Sequence, residues 1–186
     1  MSHSSDIENR IFLLKGSLSD AGPRQFGQAV SELGRLDKLR AARQIFVKVN
    51  LCAGSVMQPE TGVNVSAGLC RALIEGLRQV NPGAKILIAE SDSVGFGFAH
   101  DKFAFLGYDE MVREFEDVEL ADLTRSPYLK VDDPRGSLQR FMLPEALRES
   151  DFVISLSKIK THNIVTVTGA MKNHFGTLPH QFKNVY

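Results

Sequence analysis

The chain has 186 residues and a mass of 20.6 kDa, and 43% of it is hydrophobic, enough for a buried core and a single domain over 1–186. Lys+Arg and Asp+Glu each total 22, and that balance excludes a generally basic nucleic-acid-binding coat and an acidic disordered tail. The longest aliphatic runs, such as Ile11 to Leu14, fall far short of the roughly 20 residues of a membrane span, and MSHSSDIENR carries no secretory pattern, so a cytoplasmic protein without membrane or nucleic-acid partners is expected.

In chain order, IFLLK (11–15) reads as a strand. Residues 24–39 place Phe26, Ala29, Val30, Leu33, Leu36 and Leu39 at helical spacing. QIFVKVN (44–50) is a strand rich in β-branched and aromatic residues. Residues 64–80 give one apolar helix face, closed by Asn-Pro-Gly at 81–83. KILIAES (85–91) is a strand, 102–116 a helix broken at Gly107-Tyr108, and VELADL (118–123) a short strand. Pro127, Asp132, Asp133, Pro134 and Gly136 mark 124–144 as a loop or hairpin insertion. Pro144 opens a short helix, since a first-turn residue needs no N–H, and DFVISLS (151–157) is a further strand. Strands alternating with helices predict an α/β fold, Rossmann-like and three-layered, with a mainly parallel sheet covered on both faces. Right-handed crossovers then gather the strand C-termini on one edge, where open α/β sheets bind ligands.

Polar groups of mixed sign arrive at that edge. Lys48 and Asn50 end one strand, and Glu90, Ser91 and Asp92 another. The strand at 151–157 runs into Lys158, Lys160, Thr161 and His162. Charge is also uneven along the chain. Phe152 to Tyr186 contains no acid but has Lys158, Lys160, Lys172 and Lys183, with His162, His174 and His180. The first 151 residues therefore carry 18 basic against 22 acidic side chains. Ammonium groups unmatched by acids suit phosphate or carboxylate, so Lys48, Lys158, Lys160 and Lys172 are candidate anion ligands. His162 is the best acid/base candidate, and Glu90 and Asp92 are candidates for a base or a magnesium ligand. Thr166 and Thr168 suit caps on a helix near Gly169, although Val165-Thr-Val-Thr168 equally suits a strand.

Other signals are weaker. Gly95-Phe96-Gly97 matches only part of a dinucleotide fingerprint, and no P-loop pattern occurs. The histidine spacings fit no common zinc pattern. Cys52 and Cys70 form no CxxC, which leaves no disulfide framework and no cysteine motif for an iron–sulfur cluster.

VKVN (47–50), RALIEGL (71–77), ILIAES (86–91), GY (107–108), DFVISLSKIKTH (151–162), VTGAMKNHFG (167–176) and the final KNVY occur in an order that resembles the domain of unknown function 362 family. The resemblance runs from residue 11 almost to the end. By this resemblance Lys48, Asn50, Glu90, Lys160, Thr161, His162, Lys172, Asn173 and Gly176 match the family's signature positions. Some members carry ferredoxin-like iron–sulfur motifs, which implies redox or cofactor chemistry, but those cysteines are missing here. Val49 stands where the family usually has Pro, TGVNVS only loosely matches its Thr-x-Pro entry, and members usually continue beyond this point. The cofactor is thus left open. The expectation is a small anionic ligand bound at the strand C-termini, by an enzyme or redox-associated protein using His162, Lys160 and Glu90. A non-catalytic binding module, or a fragment that needs a partner, is the alternative, and a homo-oligomer fits either.

Overall fold

The computed structural model describes residues 22–33, 37–51, 62–93, 97–132, 140–162 and 165–183. The strand expected at 11–15, Cys52, and Gly95 and Phe96 of the glycine loop lie outside these residues. The described elements run α1 (Gly22–Leu33), α2 (Asp37–Ala41), β1 (Gln44–Lys48), α3 (Ala67–Val80), β2 (Lys85–Glu90), α4 (Ala99–Phe105), α5 (Tyr108–Val112) and β3 (Val118–Asp122). They continue with β4 (Tyr128–Asp132), β5 (Arg140–Pro144), α6 (Glu145–Arg148), β6 (Phe152–Ser155), β7 (Lys160–His162), β8 (Thr166–Thr168) and α7 (Ala170–His174).

β1, β2, β3 and β6 form a parallel sheet in the order β3-β2-β1-β6. In register, Ile45 lies between Ile86 and Phe152, and Ile86 between Ile45 and Val118. Side chains alternate across the sheet, so each strand feeds two cores. Ile45, Val47, Ile86 and Ile88 join Leu73, Ile74 and Leu77 of α3, Val30 of α1, and Tyr108 and Met111 of α5 in the larger one. Phe46 and Ala89 point the other way and cluster with Leu123, backed by Ala146 and Leu147 of α6. The central strands are apolar on both faces because both are covered, as buried parallel strands require.

Local sequence explains most boundaries. Ser66 caps α3 by accepting from the Leu69 N–H at 3.2 Å. Asn81 ends α3 and donates to the carbonyls of Leu39 (2.9 Å) and Ala42 (2.8 Å), which fastens α2 beneath it. α4 and α5 separate where expected, at Gly107, whose φ of 74° only glycine adopts freely. The helix read over 24–39 is two pieces, α1 and α2, with residues 34–36 outside the described set. The proline-rich stretch is an antiparallel hairpin of β4 and β5, with Tyr128 opposite Pro144. Among the described residues no helix is long and apolar enough to cross a membrane.

Candidate functional site

The sheet ends β1 with Lys48 and β2 with Glu90 side by side. Both side chains are almost wholly buried, and Lys48 Nζ lies 2.6 Å from Glu90 Oε1. Nζ also donates to the Val49 carbonyl at 2.7 Å and to Asn173 Oδ1 at 3.4 Å. Glu90 accepts from the N–H groups of Leu51 (2.8 Å) and Ser91 (2.9 Å). A buried ion pair persists only when its remaining polar capacity is filled in this way. Asn173 of α7 completes the arrangement by donating to the Lys48 carbonyl (2.8 Å) and Ser155 Oγ (3.1 Å). Gly176 lies directly against the pair. A Cβ there would come within 2.7 Å of Lys48 Nζ and 3.2 Å of Glu90 Oε1, so the backbone approach demands glycine.

Two lysines outside the sequence-derived set complete this edge. Lys102 of α4 is 3% exposed, and its Nζ donates to the carbonyls of Leu51 (2.8 Å) and Ser91 (3.0 Å) and to Ser93 Oγ (2.9 Å). It sits between Ala99, Phe103 and Leu106, all buried, and a lysine on that apolar helical face was the available signal. Lys183 donates to Ser91 Oγ at 2.6 Å and to the Asp92 carbonyl at 2.5 Å, while Ser91 Oγ donates onward to the Gly176 carbonyl. Burial above all, with the charges of Lys48 and Lys102, pushes the Lys183 ammonium down to about 8 against the opposing pull of Glu90 and Asp92. Its position in the acid-free block was legible, its contact with Ser91 was not.

Asn50 and Lys160 meet as a second group. Lys160 Nζ donates to Asn50 Oδ1 at 2.7 Å and to the Val63 carbonyl at 2.6 Å. Lys158 is half-buried beside it, and its ammonium is held below the usual lysine range by burial first and by the Lys160 charge second. His162 is half-buried at the end of β7, where its Nδ1 accepts from the Val165 N–H at 3.4 Å.

The remaining sequence candidates fall elsewhere or into structural roles. Asp92 is buried; its Oδ1 accepts from the Ala99 N–H at 2.7 Å and so satisfies the first turn of α4. Thr161 is exposed in β7, opposite Val167. Lys172 Nζ lies 4.3 Å from the centroid of the Phe175 ring. Of the two alternatives open for Thr166 and Thr168, the strand is formed: both belong to β8, Gly169 occupies the N-cap of α7, and no side chain caps it. β-branched residues took the strand that their alternation also permitted. Cys70 is fully buried, and burial pushes its thiol up to about 12, which leaves it unreactive. Among the described residues no three His, Cys, Asp or Glu side chains gather as a metal site. A groove between α1 and α3, lined by Gln28, Ser31, Glu75 and Gln79, contains none of these lysines.

The fold and this edge define an α/β protein whose parallel sheet delivers a lysine-rich cluster at its C-terminal side. The family model described as Domain of unknown function (DUF362) matches residues 45–186, most of the chain, and the protein belongs to that family. No curated protein and no solved structure matches it.

Proposed function

We propose that the C-terminal edge of the sheet binds a small anion, a carboxylate or a phosphate. The observation that carries this reading is the charge count of the edge itself. Among the described residues Lys48, Lys102, Lys158, Lys160 and Lys183 are drawn to it, against the carboxylates of Glu90, Asp92 and Asp122, the last of which ends β3 beside Glu90 and pairs with Arg125. Buried or half-buried positive charge in excess raises the local anion concentration and is stabilised when an anion arrives.

The roles divide by burial. Lys48 and Lys102 lie within the protein and hold loops together through carbonyl oxygens. Lys158, Lys160 and Lys183 are half-buried and fall to the ligand, with His162 two residues beyond Lys160 on β7. Glu90 has both oxygens engaged within the fold, which favours a part in positioning Lys48 over one in proton transfer. A binding module and an enzyme of small oxo or phospho acids share this first step.

Calorimetric titration with inorganic phosphate at low ionic strength tests the reading. Wild-type protein is expected to bind in the millimolar range or tighter, and Lys158→Ala to weaken binding about tenfold, the equivalent of one charge-assisted contact. Binding should weaken as salt rises. Failure of folded protein to take up phosphate or glyoxylate at millimolar concentration overturns the proposal.

A further inference from the structure

We propose that Lys183 is an amine nucleophile that condenses reversibly with the carbonyl group of a small oxo carboxylate. The carboxylate half of that assignment rests on the anion reading above; the amine half stands on the surroundings of Lys183 alone.

The geometry comes first. Lys183 Nζ has two acceptors, Ser91 Oγ and the Asp92 carbonyl, at 2.6 and 2.5 Å. A neutral amine has two N–H bonds and one lone pair. The two acceptors match those two N–H bonds and leave the lone pair for an incoming electrophile. Ser91 Oγ is fixed as an acceptor toward Lys183 because its own hydrogen goes to the Gly176 carbonyl. Lys183 itself is half-buried rather than sealed inside the protein.

Charge comes second. Glu90 of β2, Asp92 just beyond it, Lys48 of β1 and Lys102 of α4 all act on this ammonium. Glu90 is engaged by Lys48 at 2.6 Å, and Asp92 Oδ1 by the Ala99 N–H at 2.7 Å. Lys183 thus shares its site with two other lysines and with carboxylates already occupied. A desolvated lysine beside other cations is the arrangement that frees an amine for attack on carbonyls near neutral pH. The proton lost is consistent with the downward push to about 8.

The chemistry balances without an oxidant or reductant. The Nζ lone pair forms a bond to the carbonyl carbon and gives a carbinolamine. The carbonyl oxygen then leaves as water, taking both amine hydrogens, and an imine remains. Hydration reverses each step. On protonation the imine recovers one N–H, which Ser91 Oγ or the Asp92 carbonyl accepts.

The test is reductive trapping on the intact wild-type protein with sodium cyanoborohydride, followed by peptide mass spectrometry. Glyoxylate is one probe and acetaldehyde the other, and exposed Lys130 is the internal reference. The expected result is at least tenfold faster modification of Lys183 than of Lys130 by glyoxylate at pH 7.5, with a smaller preference for acetaldehyde. The Lys183 rate should level off above a midpoint near 8, while an ordinary lysine, with a pKa of about 10.4, still gains speed. No preference for Lys183 with either probe overturns the nucleophile. An equal preference with both overturns the oxo-carboxylate class. Phosphate titration of the same sample reports separately on the anion reading.

Discussion

The Lys48–Glu90 pair concentrates the energetic risk of this protein in two side chains. Both are nearly sealed from solvent, at 1% and 5% side-chain exposure, and neither is tolerable there alone. Removing one partner leaves a buried charge without compensation, which costs about 3–5 kcal/mol. Lys48→Met should therefore lower the free energy of unfolding in urea by that amount and leave the m-value unchanged. Lys48→Met combined with Glu90→Gln should recover more than half of the loss, because neither charge of the pair is then left buried without the other. A double variant as unstable as the single would show that packing by the lysine stem, not the charge, holds the site. At this scale the sequence was a partial guide. Lys48, Glu90 and Asn173 stood out as strand-end and signature residues, and the structure brings those three into one network. Lys102 did not stand out, because a helical lysine is ordinarily exposed and only the facing carbonyls of Leu51 and Ser91 make its burial acceptable.

At the scale of elements, the sheet is held in place by how closely α1 and α3 pack over it. A Cβ on Gly76 of α3 would lie 2.9 Å from Val30 Cβ and 3.3 Å from Gly27 Cα of α1. The small residue lets the helices touch, and it outweighs the helix-propensity gain of roughly 1 kcal/mol that alanine would bring. Gly76→Ala is expected to destabilise the protein by about 1–3 kcal/mol through overpacking, read as a lower midpoint of thermal or urea unfolding. An unchanged or raised midpoint would mean that α1 moves aside freely. Elements of this kind were largely readable. IFV and ILIA announce buried parallel strands, whereas FVIS, read the same way, is the edge strand β6 with Val153 exposed; the Gly107-Tyr108 break is set by local backbone chemistry, and the stretch read as a loop or hairpin holds the antiparallel pair β4 and β5. The 157–176 stretch resisted reading because Val165-Thr-Val-Thr168 satisfies two periodicities, and Gly169, without a side-chain cap, gave no signal strong enough to choose. Contacts such as Lys183 with Ser91 span 92 residues and depend on how the last turns return to the sheet edge, which no local pattern encodes.

For the whole molecule, the even count of 22 basic and 22 acidic side chains conceals an internal division with a consequence for stability. The acid-free block from 152 onward returns Lys160 and Lys183 to the edge built by β1 and β2, so part of its positive charge is carried into a half-buried setting that already holds Lys48 and Lys102. Folding therefore lowers the proton affinity of Lys183, from the ordinary lysine value of 10.5 to about 8. The unfolded chain keeps its proton in that window while the folded chain releases it. The unfolded state binds more protons, and stability must rise with pH. The penalty for this ammonium is present in full below about 8 and disappears as pH passes 10.5. Each tenfold loss of proton affinity costs about 1.4 kcal/mol, and the half-buried setting trims the total to roughly 1–3 kcal/mol. Urea unfolding of wild type and Lys183→Met at pH 7 and pH 10 isolates the effect of Lys183 together with its repulsion by Lys48 and Lys102, since groups remote from it contribute equally to both proteins. The wild type should gain stability relative to the variant across that interval. A constant difference would show that the Lys183 ammonium keeps its proton on folding, and would leave its hydrogen bonds to Ser91 and Asp92 as those of a charged donor.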